Sequence, residues 1–228
     1  MMTKGGKRYR GAAGQVDRTR KYELEEAIRL LKTFNTTKFD QTVEIAMRLG
    51  IDAKLSEQAV RGSVSLPKGT GKKVRVIAFC QGADIELAKQ AGAAEAGADE
   101  LVEKVQGGWL EFDVAVATPD MMPKVGKLGR LLGPKGLMPS PKSGTVSKDI
   151  GTTTREFIGG KIEFRNDDGG NLHAPVGRLS FTAEEIRDNV LAVVNKVRSM
   201  RPASAKGNFI LKVVLTCTMG PGVEVNLN

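Results

Sequence analysis

Histidine occurs once in the 228 residues, at His173, and cysteine twice, at Cys80 and Cys217. A single histidine cannot build a His-rich metal site or a chain of proton relays. The cysteines are far apart, belong to no C-x-x-C pair and sit in apolar, strand-like runs, where free cysteine acts as a small hydrophobe. A reduced, cytosolic protein without a zinc site is therefore expected. Residues 1–10 are basic with no apolar stretch behind them, so neither a signal peptide nor a membrane span is expected. There is no G-x-S-x-G elbow, and no G-x-G-x-x-G follows a strand. Gly69-Thr70-Gly71-Lys72-Lys73 is similar to the tail of a P-loop, but the motif's first glycine would fall on Leu66 and its Ser/Thr on Lys73, which excludes it. The acidic residues show no evident catalytic pair. No catalytic residue, cofactor or metal is expected.

What is present is positive charge. Lys plus Arg is 35 against 26 for Asp plus Glu, a net charge of +9, and the pI near 9.6 is the electrostatic footprint of a nucleic-acid binder. The charge is concentrated twice. Lys4, Lys7, Arg8 and Arg10 open the chain with no acid among them. Lys124, Lys127, Arg130, Lys135, Lys142 and Lys148 face only Asp120 across 120–148. Two separate concentrations fit a large polyanion better than one small phosphate, although solvated loops would also carry such runs.

Periodicity divides the chain into two styles. Leu24, Ala27, Ile28 and Leu31 recur at helical spacing within 23–34. Val43, Ile45, Met47 and Leu49 alternate with polar residues, as in a strand with one buried face. A second alternating strand, 60–66, runs into Pro67-Lys68-Gly69-Thr70-Gly71. Then buried runs at 74–79 and 112–117 bracket a helix at 83–91 and a short strand or helix near Leu101, a pattern of βαβ crossovers. Thr118 and Pro119 form the expected start of a further helix, and 126–144 reads as a long Gly-, Pro- and Lys-rich loop. After Gly159-Gly160, 161–166 and 173–181 read as a hairpin around Asp167-Asp168-Gly169-Gly170. Thr182 and Glu185 form a capping box opening a helix to about Met200, and 208–219 is a last strand. The expected fold combines α/β and α+β: a split antiparallel α+β domain from both chain ends (1–66 and 160–228) and an inserted Rossmann-like three-layer α/β domain (67–159), hinged near 66–70 and 159–160.

Five stretches then carry a resemblance: Thr36-Thr-Lys-Phe-Asp-Gln-Thr-Val-Glu44; Arg61-Gly-Ser-Val-Ser-Leu-Pro67; Gly129-Arg-Leu-Leu-Gly-Pro-Lys-Gly-Leu-Met-Pro-Ser-Pro-Lys-Ser-Gly-Thr145; Lys161-Ile-Glu-Phe-Arg-Asn166 with His173-Ala-Pro-Val-Gly177; and Thr218-Met-Gly-Pro221. In this order, over nearly the whole chain, they resemble the bacterial ribosomal L-one protein family of the mobile stalk beside the tRNA exit site. The resemblance implies two domains, one built from both chain ends. It also implies membership of the large ribosomal subunit in the cytoplasm, no membrane, and a monomer when free. The partners it implies are large-subunit rRNA, exit-site tRNA whose release is assisted, and the protein's own operon mRNA, whose translation is repressed.

Carried over residue by residue, the rRNA and mRNA surface falls on Lys38, Phe39, Thr42, Glu44, Thr216, Thr218, Met219, Gly220 and Pro221, with Lys161, Arg165 and His173 as further contacts. Lys127, Arg130, Lys135 and Lys142 would make secondary RNA or tRNA contact. Thr42 and Glu44 lie on the polar face of their strand and can bond ribose 2′-OH groups and base edges in a shallow minor groove. Without the resemblance, Phe39 reads as a core aromatic and Thr218–Pro221 as a plain strand end. Two positions depart from the family: Ser140, often Asn there, and Cys217, often a small polar residue. An α/β enzyme using 126–144 to hold a phosphorylated small molecule and a non-specific basic scaffold are the competing readings. The first lacks a catalytic set; the second predicts binding that follows salt alone.

Overall fold

The computed structural model describes residues 6–227; Lys4 of the basic opening segment lies outside them. In chain order the elements are α1 (Lys7–Ala13), β1 (Tyr22–Glu23), α2 (Leu24–Thr33), β2 (Thr42–Leu49), β3 (Arg61–Ser65), β4 (Val76–Phe79), α3 (Ala83–Gln90), β5 (Glu95–Gly97), α4 (Asp99–Gln106), β6 (Val114–Ala117), α5 (Met122–Val125), α6 (Gly129–Leu132), α7 (Ile150–Ile158), β7 (Lys161–Arg165), β8 (Asn171–Arg178), α8 (Ala183–Ser199), β9 (Ile210–Cys217) and β10 (Val223–Asn226). They separate into two compact units: the described residues up to Gly71 with those from Ile162 onward, and Lys72–Lys161.

The first unit is built on a five-stranded sheet of order β1-β10-β9-β2-β8, antiparallel except where the two residues of β1 run parallel to β10. The alternation in β2 does what it predicts: Val43, Ile45, Met47 and Leu49 are buried while Glu44 and Arg48 are exposed. α2 and α8 cover the inner face with Ala27, Ile28 and Leu31 and with Ile186, Val190, Val193, Val194 and Val197. The capping box is complete, with both the Thr182 side chain and the Glu185 side chain bonded to the other residue's backbone N–H. Glu185 is held below its ordinary carboxyl value by those Thr182 bonds. Pro175 lacks a ladder donor, and β8, which carries it, lies at the sheet edge.

The hairpin expected over 161–181 does not form. β7 pairs with β3 in a separate two-stranded sheet, β8 pairs with β2, and only the isolated bridge Asn166–Leu172 joins the two arms. The turn itself is tight: the Asp167 carboxylate accepts the N–H groups of Gly169 at 2.9 Å and Asn171 at 2.7 Å. Asn171's backbone bond is the main cause of a lowered Asp167 pKa. Past Asn166 the arms diverge, because Asn166 bonds Val60 through its backbone N–H and its side-chain oxygen, at 3.0 and 2.7 Å, and so commits β7 to β3. A hydropathy pattern marks a strand without naming its partner.

In the second unit β5, β4 and β6 form a parallel sheet with β4 central. Successive residues of β4 feed opposite faces. Val76 and Ala78 join Ala88, Val116, Ile150 and Phe157; Ile77 and Phe79 join Leu101, Val105, Phe112 and the 121–132 segment. Two expectations need correcting here. Thr118 occupies the cap position, but its side chain makes no capping bond. The stretch 126–144 is not a structureless loop: 3-10 turns at Gly126–Leu128 and Pro141–Ser143 flank α6, and Met121, Val125, Leu128 and Leu132 are fully buried. Those four recur at helical spacing, and burying each leucine stabilises the unit by about 1.5–3 kcal/mol. Glycines at 126, 129 and 133 mask the period. β5, α7 and β10 were also missed by the pattern reading.

Candidate nucleic-acid interface

The segment between α2 and β2 carries Lys38 and Phe39, both exposed. Phe39 is 52% exposed, so the core-aromatic reading fails. Its backbone is nonetheless held on both sides. Asp40's carboxylate accepts the Ser180 N–H at 3.1 Å and the Ser180 hydroxyl at 2.7 Å, while Arg178 donates to the Asp40 carbonyl at 2.9 Å. Gln41 is fully buried. Its amide donates to the Phe34 carbonyl at 3.0 Å, and its side-chain oxygen accepts the Met219 N–H at 2.9 Å. Gln41 thereby joins the loop to the turn that follows β9. Gln41 lies within the Thr36–Glu44 stretch but is not among the expected contacts; the alternation of β2 extended two residues back places it on the inner face.

Thr42 and Thr218 are fastened together. Thr218 N–H donates to the Thr42 carbonyl at 3.1 Å, and Thr42 N–H donates to the Thr218 hydroxyl at the same distance. The hydroxyl of the exposed Thr218 thus accepts one bond from within the protein. Glu44 pairs with Thr216 on β9 and with Pro175 on β8, and a register shift falls between Val43 and Glu44. Such a bulge re-aims the side chains beside it, here next to the exposed Glu44 carboxylate. One pair further along the same outward face, Ala46 stands opposite His173, which is exposed. After Cys217 the chain turns sharply, with Gly220 N–H donating to the Cys217 carbonyl at 3.0 Å. Met219 is 45% exposed and Pro221 is buried. A Cβ on Gly220 would overlap Cys217 Sγ and press on Phe34. The glycine is therefore required by internal packing, whatever lies outside the turn. Cys217 is buried, and that burial pushes its thiol pKa up.

The structure brings together Lys38, Phe39, Thr42, Glu44, Thr216, Thr218, Met219, Gly220 and Pro221 at one end of the five-stranded sheet, with His173 further along it. The remaining residues lie on other elements and turns. Arg165 is exposed at the end of β7, in the two-stranded sheet. Lys161 belongs to the second unit, and its ammonium pairs with Glu156 at 2.7 Å and lies 5.2 Å from the centre of the Phe157 ring. Lys127, Arg130, Lys135 and Lys142 are exposed in the second unit, and their side chains form no hydrogen bond or ion pair among the described residues.

Sequence comparison adds kinship. The profile of the Ribosomal protein L1p/L10e family matches residues 31–221. The chain is 49% identical over 225 residues to the large ribosomal subunit protein uL1 of Kosmotoga olearia, covering 99% of this chain and 97% of that one. It is 53% identical over 225 residues to the protein of the same name from Thermobifida fusca, covering 99% and 96%. Against that of Salinispora arenicola the identity is 52% over 222 residues, covering 97% and 93%.

Proposed function

The chain belongs to the Ribosomal protein L1p/L10e family, and from that premise we propose that it binds large-subunit rRNA at the mobile stalk through the end of its five-stranded sheet. It is a structural constituent of the large ribosomal subunit and not an enzyme. The same surface, in this reading, binds its own operon mRNA and represses translation. The second unit assists release of deacylated tRNA from the exit site, with Lys127, Arg130, Lys135 and Lys142 meeting phosphates.

The observation that carries the reading is an exposed aromatic ring and an exposed thioether, Phe39 and Met219, on backbones tied down through the buried Gln41. Single exposed apolar side chains are ordinary, but an aromatic ring and a thioether gathered at one end of a sheet mark an interaction surface. Phe39 supplies a stacking face, Met219 an adaptable apolar contact, and Glu44 an acceptor for 2′-OH or base N–H groups. A carboxylate beside a polyanion is costly unless it receives such bonds, so Glu44 selects where the lysines only attract. Thr218 and Gly220 contribute by shaping the turn, since their polar groups are bonded within the protein.

The test is binding of the purified protein to a labelled stalk-base rRNA fragment, with scrambled RNA of equal length as competitor. Phe39→Ala and Met219→Ala truncate exposed side chains, so folding is retained. Each is expected to weaken binding to the native fragment about tenfold while leaving binding to scrambled RNA unchanged. Equal affinity for both RNAs, untouched by either variant, would overturn the assignment.

A further inference from the structure

A pocket of about 540 Å³ opens beside the Thr218–Gly220 turn, and its other wall is the start of α1: Gly6, Lys7, Arg8 and Tyr9. We propose that this pocket receives one additional nucleotide of the bound RNA strand, its base against Tyr9 and Met219 and its phosphate between Lys7 and Arg8. The inference rests on the RNA-binding reading above and extends it to a segment outside the five stretches that carry the family resemblance.

Each wall supplies something the other lacks. On the turn side the backbone donors are already used: Thr218 N–H by Thr42, Met219 N–H by Gln41 and Gly220 N–H by Cys217. That wall therefore offers an anion no free main-chain donor, and presents the Met219 thioether instead. On the α1 side the side chains of Lys7 and Arg8 form no hydrogen bond or ion pair among the described residues, and Tyr9 is 38% exposed. Among the residues lining the pocket, positive charge for a phosphate comes from α1, and an apolar surface for a base comes from both walls. No acid precedes Asp17, so nothing nearby in sequence neutralises the cations. None of the residues of α1 is buried, so this helix gains little from the core and has room to gain from a ligand. Two cations, one aromatic ring and one flexible thioether around a nucleotide-sized space match the elements of single-strand recognition, a backbone-tracking charge with a stacking platform.

The test uses the full chain and the stalk-base rRNA fragment, extended and unextended by two unpaired nucleotides at each end, titrated across salt concentrations. Tyr9→Ala is expected to lower affinity for the extended RNA about tenfold. Lys7→Gln with Arg8→Gln is expected to reduce the slope of log affinity against log salt by about 1.5. Arg10→Gln removes a charge from the same helix outside the pocket, and its slope is expected to fall by less than half a unit. If Arg10→Gln acts as strongly as either pocket cation, α1 is a diffuse basic tail and the inference is wrong. It is equally wrong if the Tyr9 and Lys7/Arg8 variants bind as the parent does while Met219→Ala still loses affinity; the proposed function then stands without the pocket. A parent protein that fails to prefer the native fragment removes both together.

Discussion

Gly220 shows how one residue can be fixed by the protein's interior while lying on the proposed RNA surface. The absent side chain makes room for Cys217 Sγ and the Phe34 ring. Gly220→Ala is expected to destabilise the first unit by about 1–3 kcal/mol through overpacking. Cys217→Ala removes the sulfur and should recover much of that loss, so the double-mutant cycle in urea unfolding is expected to show strong coupling. Additive losses would mean that Cys217 is not the obstacle. At this scale the sequence was legible only in part. Exposure of Glu44 and burial of Gln41 both follow from the alternation of β2, whereas the two Gln41 side-chain bonds depend on Phe34 and Met219, one of them 178 positions away. Thr218 illustrates the same limit: its hydroxyl bonds both the N–H and the carbonyl of Thr42, which no spacing rule reveals.

Elements were legible where one face of local periodicity dominates, as in β2, α2 and α8, and illegible where glycine dilutes the period or where the question is pairing. Leu128 and Leu132 hold 126–132 to the core although Gly126, Gly129 and the following Gly133 argue for loop. β7 and β8 look like a hairpin and join different sheets. α8 has a second task besides covering the sheet. Its buried Asn189 accepts the Lys68 N–H at 3.0 Å and donates to the carbonyls of Gly69 at 2.9 Å and Val176 at 2.8 Å. Just beyond, Gly71 has φ +70°, and its missing Cβ would strike Phe181 and Arg178. The segment after β3 is therefore clamped onto the first unit until residue 71. Asn189→Ala removes the clamp, and trypsin is expected to cut after Lys68 at least several-fold faster at low protease, where cleavage reports local opening. An unchanged cleavage rate at Lys68 would show that other contacts hold the segment.

On the scale of the whole chain, the two units differ in how their pieces lie along the sequence. Lys72–Lys161 is continuous and has its own sheet with an apolar cluster on each face. The other unit needs β2 from the first third and both neighbours of β2, β8 and β9, from beyond residue 161. A fragment 72–161 is expected to unfold cooperatively by itself, and a fragment 1–71 to show no protected amides in hydrogen exchange; protection in the latter would mean that β2 and α2 suffice without their ladder partners. The order of synthesis gives this split a timetable. β2 emerges roughly 120 residues ahead of β8 and 160 ahead of β9, which at about 5–20 residues per second is a wait of roughly 6–30 s. During it Val43, Ile45, Met47 and Leu49 have no sheet to enter, and the inserted unit is the first to fold. The surface that joins residues 38–44 to 216–221 is completed last. On the proposed RNA-binding function, a nascent chain is inert toward RNA until translation has passed Pro221.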